Sequence, residues 1–423
     1  MTPKLIALIV FATAYLLFVL LPARRTWVAM AGAMLILLTG TLSPLAVFQA
    51  VNWNVMGIFV GTLVLADLFI ESRMPAFLAE RIVQRAPNTR TAMLFICLLA
   101  GGISAFVENV ATVMIIAPIA LALAEKLKIS PVTLLIAIAV SSNLQGAATL
   151  IGDPPSMLLA GFAKMNFMDF FFYKGRPSLF FAVELGALAS LVYLAWLFRA
   201  HRQNTELPLS EKIKTWFPTV LLIALIGALA MSSFFDADFS YLAGILCLVA
   251  AGIGIGLDML YHRSPFVHRL KALDWDTTFF LVGVFVLVGS LTLTGWTETI
   301  ATAMSRMIGG NLLFGYVFLI VVSVLLSAFI DNVPFLAAML PVVILIARKL
   351  GVEPTLFLFA LLLGASIGGN ITPIGASANI VTMGLLKKTG HKVSFWEFSR
   401  IGIPFTLISV TAASLLVWFV WGP

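Results

Sequence analysis

Two short stretches place a carboxylate beside an amide inside long apolar runs. They are Ser104-Ala105-Phe106-Val107-Glu108-Asn109-Val110 and Ser327-Ala328-Phe329-Ile330-Asp331-Asn332-Val333. The second copy follows the first at a constant offset of 223 positions, from 104 to 327 and from 109 to 332. An acid in hydrocarbon-like sequence is costly and is a functional hypothesis by default. A carboxylate held away from water is disfavoured in its charged form. Glu108 and Asp331 are therefore the candidate proton-coupling groups.

Two further polar islands accompany them. One runs from Ser141 to Pro155 and the other from Ser366 to Asn379. The first candidate site cluster is Glu108, Asn109, Thr112, Ser142, Asn143, Gly146, Thr149 and Asp153. The second is Asp331, Asn332, Ser366, Asn370, Thr372, Ser377 and Asn379. Carboxylates, amides, hydroxyls and freed backbone carbonyls suit small hard cations or protons. Helix N-termini aimed at the same point suit an anionic or hydroxylated solute. Structural roles compete with these. Asn109 and Asn332 suit helix caps, and so does Asp153, which precedes Pro154 and has Ala376 as its repeat partner. Asp67, Glu71 and Glu184 fall towards span ends, where a charged head reaches the solvated interface.

The elements that must position these residues are membrane helices. The chain is 61% hydrophobic and 11% charged, with a mean hydropathy of +1.07. Many runs approach the roughly 20 residues that cross a bilayer as a helix. The fold class is an all-α polytopic membrane protein. The net charge of +7 is scattered through short loops, which reads as membrane topology and not as nucleic-acid binding. Cys97 and Cys247 lie in apolar stretches without a CxxC or Cys/His cluster, so neither a metal site nor a cofactor is expected.

Spans are expected at 5–22, 26–47 and 54–72, then an amphipathic stretch at 73–90. Residues 91–125 are too many for one span and too few for two, so a re-entrant hairpin with its tip at Glu108-Asn109 fits. Residues 130–163 read as a helix broken at the first polar island, and 178–198 closes the half. The second half repeats this order: spans at 216–234, 239–260 and 276–293, an amphipathic stretch at 295–309, a hairpin at 311–347, a broken helix at 354–386 and a span at 401–421. At the same offset Pro118 falls on Pro341, Gly146 on Gly369, Thr149 on Thr372 and Gly152 on Gly375, which marks a duplication. The expected domains are a first repeat over 1–198, a cytoplasmic linker over 199–215 and a second repeat over 216–423.

Five spans and one hairpin per half give 10 transmembrane helices and make the repeats inverted. With both termini outside, 19 of the 26 basic residues lie on the cytoplasmic side, among them Arg25, Arg202, Arg263 and Arg269. Inverted repeats with discontinuous helices are the architecture of secondary transporters, with the site near the midplane.

Three segments carry a family resemblance: Ala105-Phe106-Val107-Glu108-Asn109-Val110-Ala111-Thr112, Ala147-Ala148-Thr149-Leu150-Ile151-Gly152-Asp153-Pro154-Pro155 and Ile371-Thr372-Pro373-Ile374-Gly375-Ala376-Ser377-Ala378-Asn379. They resemble the ion transporter superfamily, in its arsenite efflux (ArsB-type), NhaD-type and melanosomal P-protein branch. The resemblance implies a scaffold domain, a mobile domain holding hairpins and broken helices, elevator-like alternating access and a homodimer. It also implies that Asn109 and Asn332 are tip ligands, with Asn143, Thr149, Asn370 and Thr372 contributing from the unwound segments. Sodium-coupled dicarboxylate relatives read Ser-Asn-Thr at the tips. Glu108-Asn109-Val110 and Asp331-Asn332-Val333 depart from that pattern and shift weight towards proton coupling.

The expected function is secondary efflux of a small inorganic solute, arsenite or antimonite, against proton entry, in the inner (plasma) membrane. A sodium/proton antiporter and uptake of a carboxylate or oxyanion are the alternatives. No arginine lies in either motif cluster to clamp a dianion, which counts against the last. No HExxH or Walker A sequence is present, so an enzyme is not expected. If ATP drives transport, a separate soluble ATPase subunit must dock on the cytoplasmic loops.

Overall fold

The computed structural model describes residues 2–201, 203, 212–262, 271 and 273–423. Most of the expected linker lies outside the described residues, and so do Arg202, Arg263 and Arg269.

The first half begins with α1 (Pro3–Leu20), α2 (Arg25–Leu38), α3 (Pro44–Ala50), α4 (Trp53–Glu71) and the amphipathic α5 (Met74–Gln84). A helical hairpin follows, α6 (Thr89–Ser104) and α7 (Asn109–Leu127). The interrupted helix is α8 (Val132–Gly146) and α9 (Pro154–Ala163). A two-stranded ribbon, β1 (Phe172–Tyr173) with β2 (Arg176–Pro177), leads into α10 (Leu179–Leu197). The second half contains α11 (Phe217–Ser232), α12 (Leu242–His262), α13 (Trp275–Leu293), α14 (Trp296–Ile308), the hairpin α15 (Leu312–Ser327) and α16 (Asn332–Leu350), the interrupted pair α17 (Thr355–Gly368) and α18 (Ser377–Lys388), and α19 (Phe395–Trp421).

Eight helices among the described residues are long and apolar enough to cross a membrane: α1, α4, α7, α10, α12, α13, α16 and α19. The protein is an all-α polytopic membrane protein. Helix pairs α6–α7 and α15–α16, and the interrupted pairs α8–α9 and α17–α18, fall within the residue ranges expected for them.

The expected span over 26–47 is different. α2 ends at Leu38 after 14 residues. At about 1.5 Å per residue that is roughly 21 Å, short of a bilayer core of about 30 Å. The turn after it needs Gly40 at φ +67°, and Ser43 then caps the separate α3. The last helix is longer than expected, 27 residues running through Pro404.

α4 packs on α12, α2 on α13, α10 on α19 and α15 on α17. Small residues let the first pair approach: a Cβ on Gly57 would lie 3.0 Å from the Gly244 Cα. The halves also cross. α9 rests on α16 and α17 of the second half, while α18 rests on α7 and α8 of the first. Both polar islands are thereby drawn into one interior.

Candidate functional site

The hairpin tips form because each chain turns at a short linker and restarts on an acidic N-cap. Glu108 Oε2 accepts from the Ala111 N–H at 3.1 Å, and Asp331 Oδ1 accepts from the Val333 N–H at 3.1 Å. The acids are the caps, not Asn109 and Asn332 as the spacing also allowed. This frees the Asn109 amide. Asn109 and Asn332 are both buried first residues of their helices.

Each tip is tied to the break behind it, and one of these bonds recurs in both. Thr149 Oγ1 donates to the Ala105 carbonyl, and Thr372 Oγ1 donates to the Ala328 carbonyl. Ser142 Oγ bonds Ser104 Oγ at 2.9 Å and the Asn109 carbonyl at 3.2 Å. Ser327 Oγ donates to the Ala365 carbonyl at 2.5 Å. Thr112 Oγ1 donates back to the Val107 carbonyl at 3.3 Å. Gly152 and Gly375 permit the close approach: a Cβ would sit 3.0 Å from the Ala105 oxygen in the first and 2.9 Å from the Ala328 oxygen in the second.

A line of amides joins the two islands. Asn109 Nδ2 donates to Asn143 Oδ1 at 3.0 Å. Asn143 Nδ2 donates to the Ser366 carbonyl at 2.8 Å and to Asn370 Oδ1 at 3.1 Å. Asn370 Nδ2 donates to the Val140 carbonyl at 3.0 Å. Asn143 and Asn370 are fully buried. The ends of α8 and α17 are thus stitched to each other: the Ser366 carbonyl lies in the last turn of α17, where the helix leaves carbonyls free, and the Val140 carbonyl lies within α8.

Around this line sit buried acceptors without partners. Asp153 Oδ1 caps α9 through the Ser156 N–H at 2.9 Å, while its Oδ2 has no hydrogen bond. Asn379 Nδ2 donates to the Gly369 carbonyl at 3.0 Å and the Thr372 carbonyl at 2.9 Å, and its Oδ1 is unpartnered. Ser366 Oγ is buried and unpartnered too. Gly146 closes α8, and its carbonyl receives Ser156 Oγ at 3.5 Å. Ser377 is the half-buried first residue of α18 and stands outside the amide line. Among the described residues no group of three His, Cys, Asp or Glu side chains could hold a metal ion.

Asp331 leads to a residue that the motifs did not reveal. The Arg25 guanidinium, at the start of α2, pairs with its carboxylate. Arg25 Nη2 also donates to Thr277 Oγ1 at 3.3 Å, and the guanidinium lies 4.9 Å from the centroid of the Phe280 ring. Beside it, the Tyr15 hydroxyl donates to the Pro334 carbonyl. The absence of an arginine from the clusters is therefore corrected by the fold. No periodicity or spacing links position 25 to position 331. Glu184 is also placed differently from the expectation. It turns inwards and accepts from Gln145 Nε2 at 3.2 Å.

The arrangement offers two chemistries. Acceptor oxygens at the breaks can take a proton or small cation. Arg25 and the N-terminal ends of α7 and α16 favour negative charge.

Residues 15–345 and 306–422 match the family described as Citrate transporter. The chain is similar to the 46 kDa membrane protein of Mycobacterium leprae, 31% identical with 98% of each chain covered. It is also similar to the P protein of Mus musculus, 27% identical over 96% of this chain and 59% of that protein. Neither name refers to arsenite. Among solved structures, the Alcanivorax borkumensis YdaH transporter shares the fold, with a TM-score of 0.61 and 15% identity over 86% of this chain and 84% of that one.

Proposed function

The chain belongs to the citrate transporter family of secondary-active membrane transporters, and from that premise we propose that it takes up a small carboxylate or related oxyanion. It moves a solute and is not an enzyme. The observation that carries the choice of solute is Arg25 at the tip of the second hairpin. A guanidinium fork beside the N-terminal end of α16 is suited to a carboxylate. The buried amides of Asn109, Asn143 and Asn370 then supply hydrogen-bonding groups for a polar solute, and the orphaned acceptors suit the coupling ion.

In this reading the halves 1–198 and 216–423 are inverted repeats joined by the linker 199–215, with both termini outside. The two tips and two breaks enclose the solute between them. The hairpins and broken helices move together against the remaining helices in an elevator-like step, within a homodimer. The recurrence of the Thr149–Ala105 bond as Thr372–Ala328 supports a two-fold kinship of the tips.

The test is a flux panel on the purified chain in liposomes. Radiolabelled citrate and succinate, arsenite, antimonite and sodium are each offered under an imposed pH or sodium gradient. Accumulation of a carboxylate that collapses with the gradient is the expected result. Movement of arsenite or antimonite without any carboxylate would replace the reading with metalloid efflux. Sodium-dependent proton release alone would replace it with a sodium/proton antiporter.

A further inference from the structure

A second polar site lies to the side of the hairpin tips, among α6, α8, α10 and α19. A cavity of about 30 Å³ opens there between Cys97, Gly101, Ser141, Gln145, Ser190 and Phe405. That volume is enough for a water molecule, which needs roughly 10–15 Å³ and polar partners. Gln145 is 8% exposed. Its Nε2 donates to Glu184, while its Oε1 is buried with no partner at all. Glu184 is half-buried within α10, a span by length and composition.

Ahead of α10, the Arg176 guanidinium lies 5.6 Å from the centroid of the Trp421 ring. α8 carries no charged residue. On α6 the titratable groups are Arg90, whose backbone N–H bonds the His201 carbonyl, and Cys97. On α19 they are Glu397 and Arg400, and the Arg400 carbonyl receives the hydroxyl of Tyr193 on α10. Arg90, Glu397 and Arg400 therefore gather towards the Tyr193 end of α10. Glu184 is nine residues back along the helix, about 13 Å at 1.5 Å per residue.

We propose that the Gln145–Glu184 pair at the edge of this pocket is a proton-binding site, with Glu184 as the group that takes and releases the proton and Gln145, which lines the pocket, as the positioning residue that senses it. A carboxylate can only accept, so ionised Glu184 holds the Nε2 face of the amide and leaves Oε1 orphaned. A proton delivered from cavity water converts one carboxylate oxygen to a donor. The amide then turns over, and Oε1 accepts the new O–H. One O–H bond breaks on the hydronium as the carboxyl O–H forms, and neutral water is left behind. Each protonation state satisfies one side of Gln145 only, which makes the amide a two-position element.

The amide is placed to affect the transport site. Gln145 immediately precedes Gly146, the last residue of α8, and lies two residues after Asn143 of the amide line. Gly101 lets it approach α6: a Cβ there would lie 2.9 Å from Gln145 Cγ. The repeat counterpart of Gln145 is Gly368, which has no side chain. The device therefore exists once per chain, and a single proton is its natural stoichiometry.

This site rests on the transporter reading only for its purpose, and its test can be separated from that reading. Infrared difference spectra of the full chain in liposomes, titrated with pH, report protonation of buried carboxyl groups directly. The expected result is a titrating protonated-carboxyl component in the wild-type minus Glu184→Gln difference, in which the bands of Glu108 and Asp153 cancel, with a midpoint that shifts by about one pH unit in Gln145→Leu. Gly101→Ala, which crowds Gln145 without touching the acid, should shift the midpoint as well. In flux measurements, citrate uptake driven by a pH gradient should fall about tenfold in Glu184→Gln and recover in part in Glu184→Asp. A wild-type minus Glu184→Gln difference with no titrating component, or an unchanged midpoint of that component in both Gln145→Leu and Gly101→Ala, would overturn the proposal. If the wild type carries no citrate, the carboxylate reading falls while the infrared titration still decides the proton site.

Discussion

Arg25 at the start of α2 and Asp331 at the cap of α16 form an ion pair across 306 positions of sequence. The side chains are 21% and 25% exposed, so the pair is neither dry nor freely solvated. It joins the α1–α2 corner to the tip of the second hairpin, and Tyr15 reinforces the same joint through Pro334. A pair so placed sets the local charge that a solute meets.

Replacing Arg25 removes the guanidinium that favours an anion and leaves Asp331 opposed to it. Arg25→Ala is expected to raise the half-saturating citrate concentration about tenfold or more, which corresponds to about 1.4 kcal/mol. Arg25→Lys keeps the charge without the planar fork and should fall between the two. Uptake measured against citrate concentration checks this. Wild-type affinity in Arg25→Ala would remove the main support for an anionic solute.

Asn143 is the middle of the amide line, accepting from Asn109 and donating to Asn370 and the Ser366 carbonyl. Asn143→Leu fills similar space but strands those partners. An unsatisfied buried polar group costs about 1–3 kcal/mol, so the variant should unfold at a lower temperature in detergent and transport little. Unfolding at the wild-type temperature would mean that the line contributes nothing to holding the breaks together.

Sequence alone carried the apolar helices and the two helix interruptions, because apolar run length is a local signal. It also picked out Asn109 and Asn143 in one cluster and Asn370 in the other; the structure joins them by hydrogen bonds. Three features escaped it for identifiable reasons. The α2 span was overdrawn because Thr39 and Gly40 interrupt an apolar run without lowering its hydropathy much. Arg25 looked like a topogenic loop charge because its partner is distant in sequence. Glu184 looked like a snorkelling acid because only the packing of α8 against α10 shows Gln145 beside it.

The close contacts at the breaks give a paired test. In Gly152→Ala a methyl group would meet the Gly146 carbonyl oxygen first and the Ala105 one at 3.0 Å, and in Gly375→Ala the Gly369 oxygen at 2.6 Å and the Ala328 one at 2.9 Å. Backbone cannot swing aside as a side chain can, so each should cost about 1–3 kcal/mol. Gly102→Ala, in the same hairpin with nothing within 4 Å, should be near neutral. Thermal unfolding of the three variants in one detergent checks the contrast. Equal behaviour of all three would show that the tips do not depend on these approaches.

The start of α12 offers a pH-dependent test outside the membrane spans. Burial pushes the Asp236 carboxyl up, but the N–H groups of Ser240, Leu242 and Tyr241, at 2.8, 2.9 and 3.1 Å, outweigh this and hold it below its usual 3.8. A carboxylate lowered in the folded state adds stability above its unfolded value, and that contribution is lost as pH falls through the folded one. The 236–242 turn should therefore loosen only below pH 3.8, while the helices around it persist. Hydrogen exchange at the Ser240–Leu242 amides, corrected for the intrinsic effect of pH, should show protection disappearing in that range. Asp236→Ala should lack the protection at every pH and lose the transition. A transition that survives in Asp236→Ala would assign the loosening to another group.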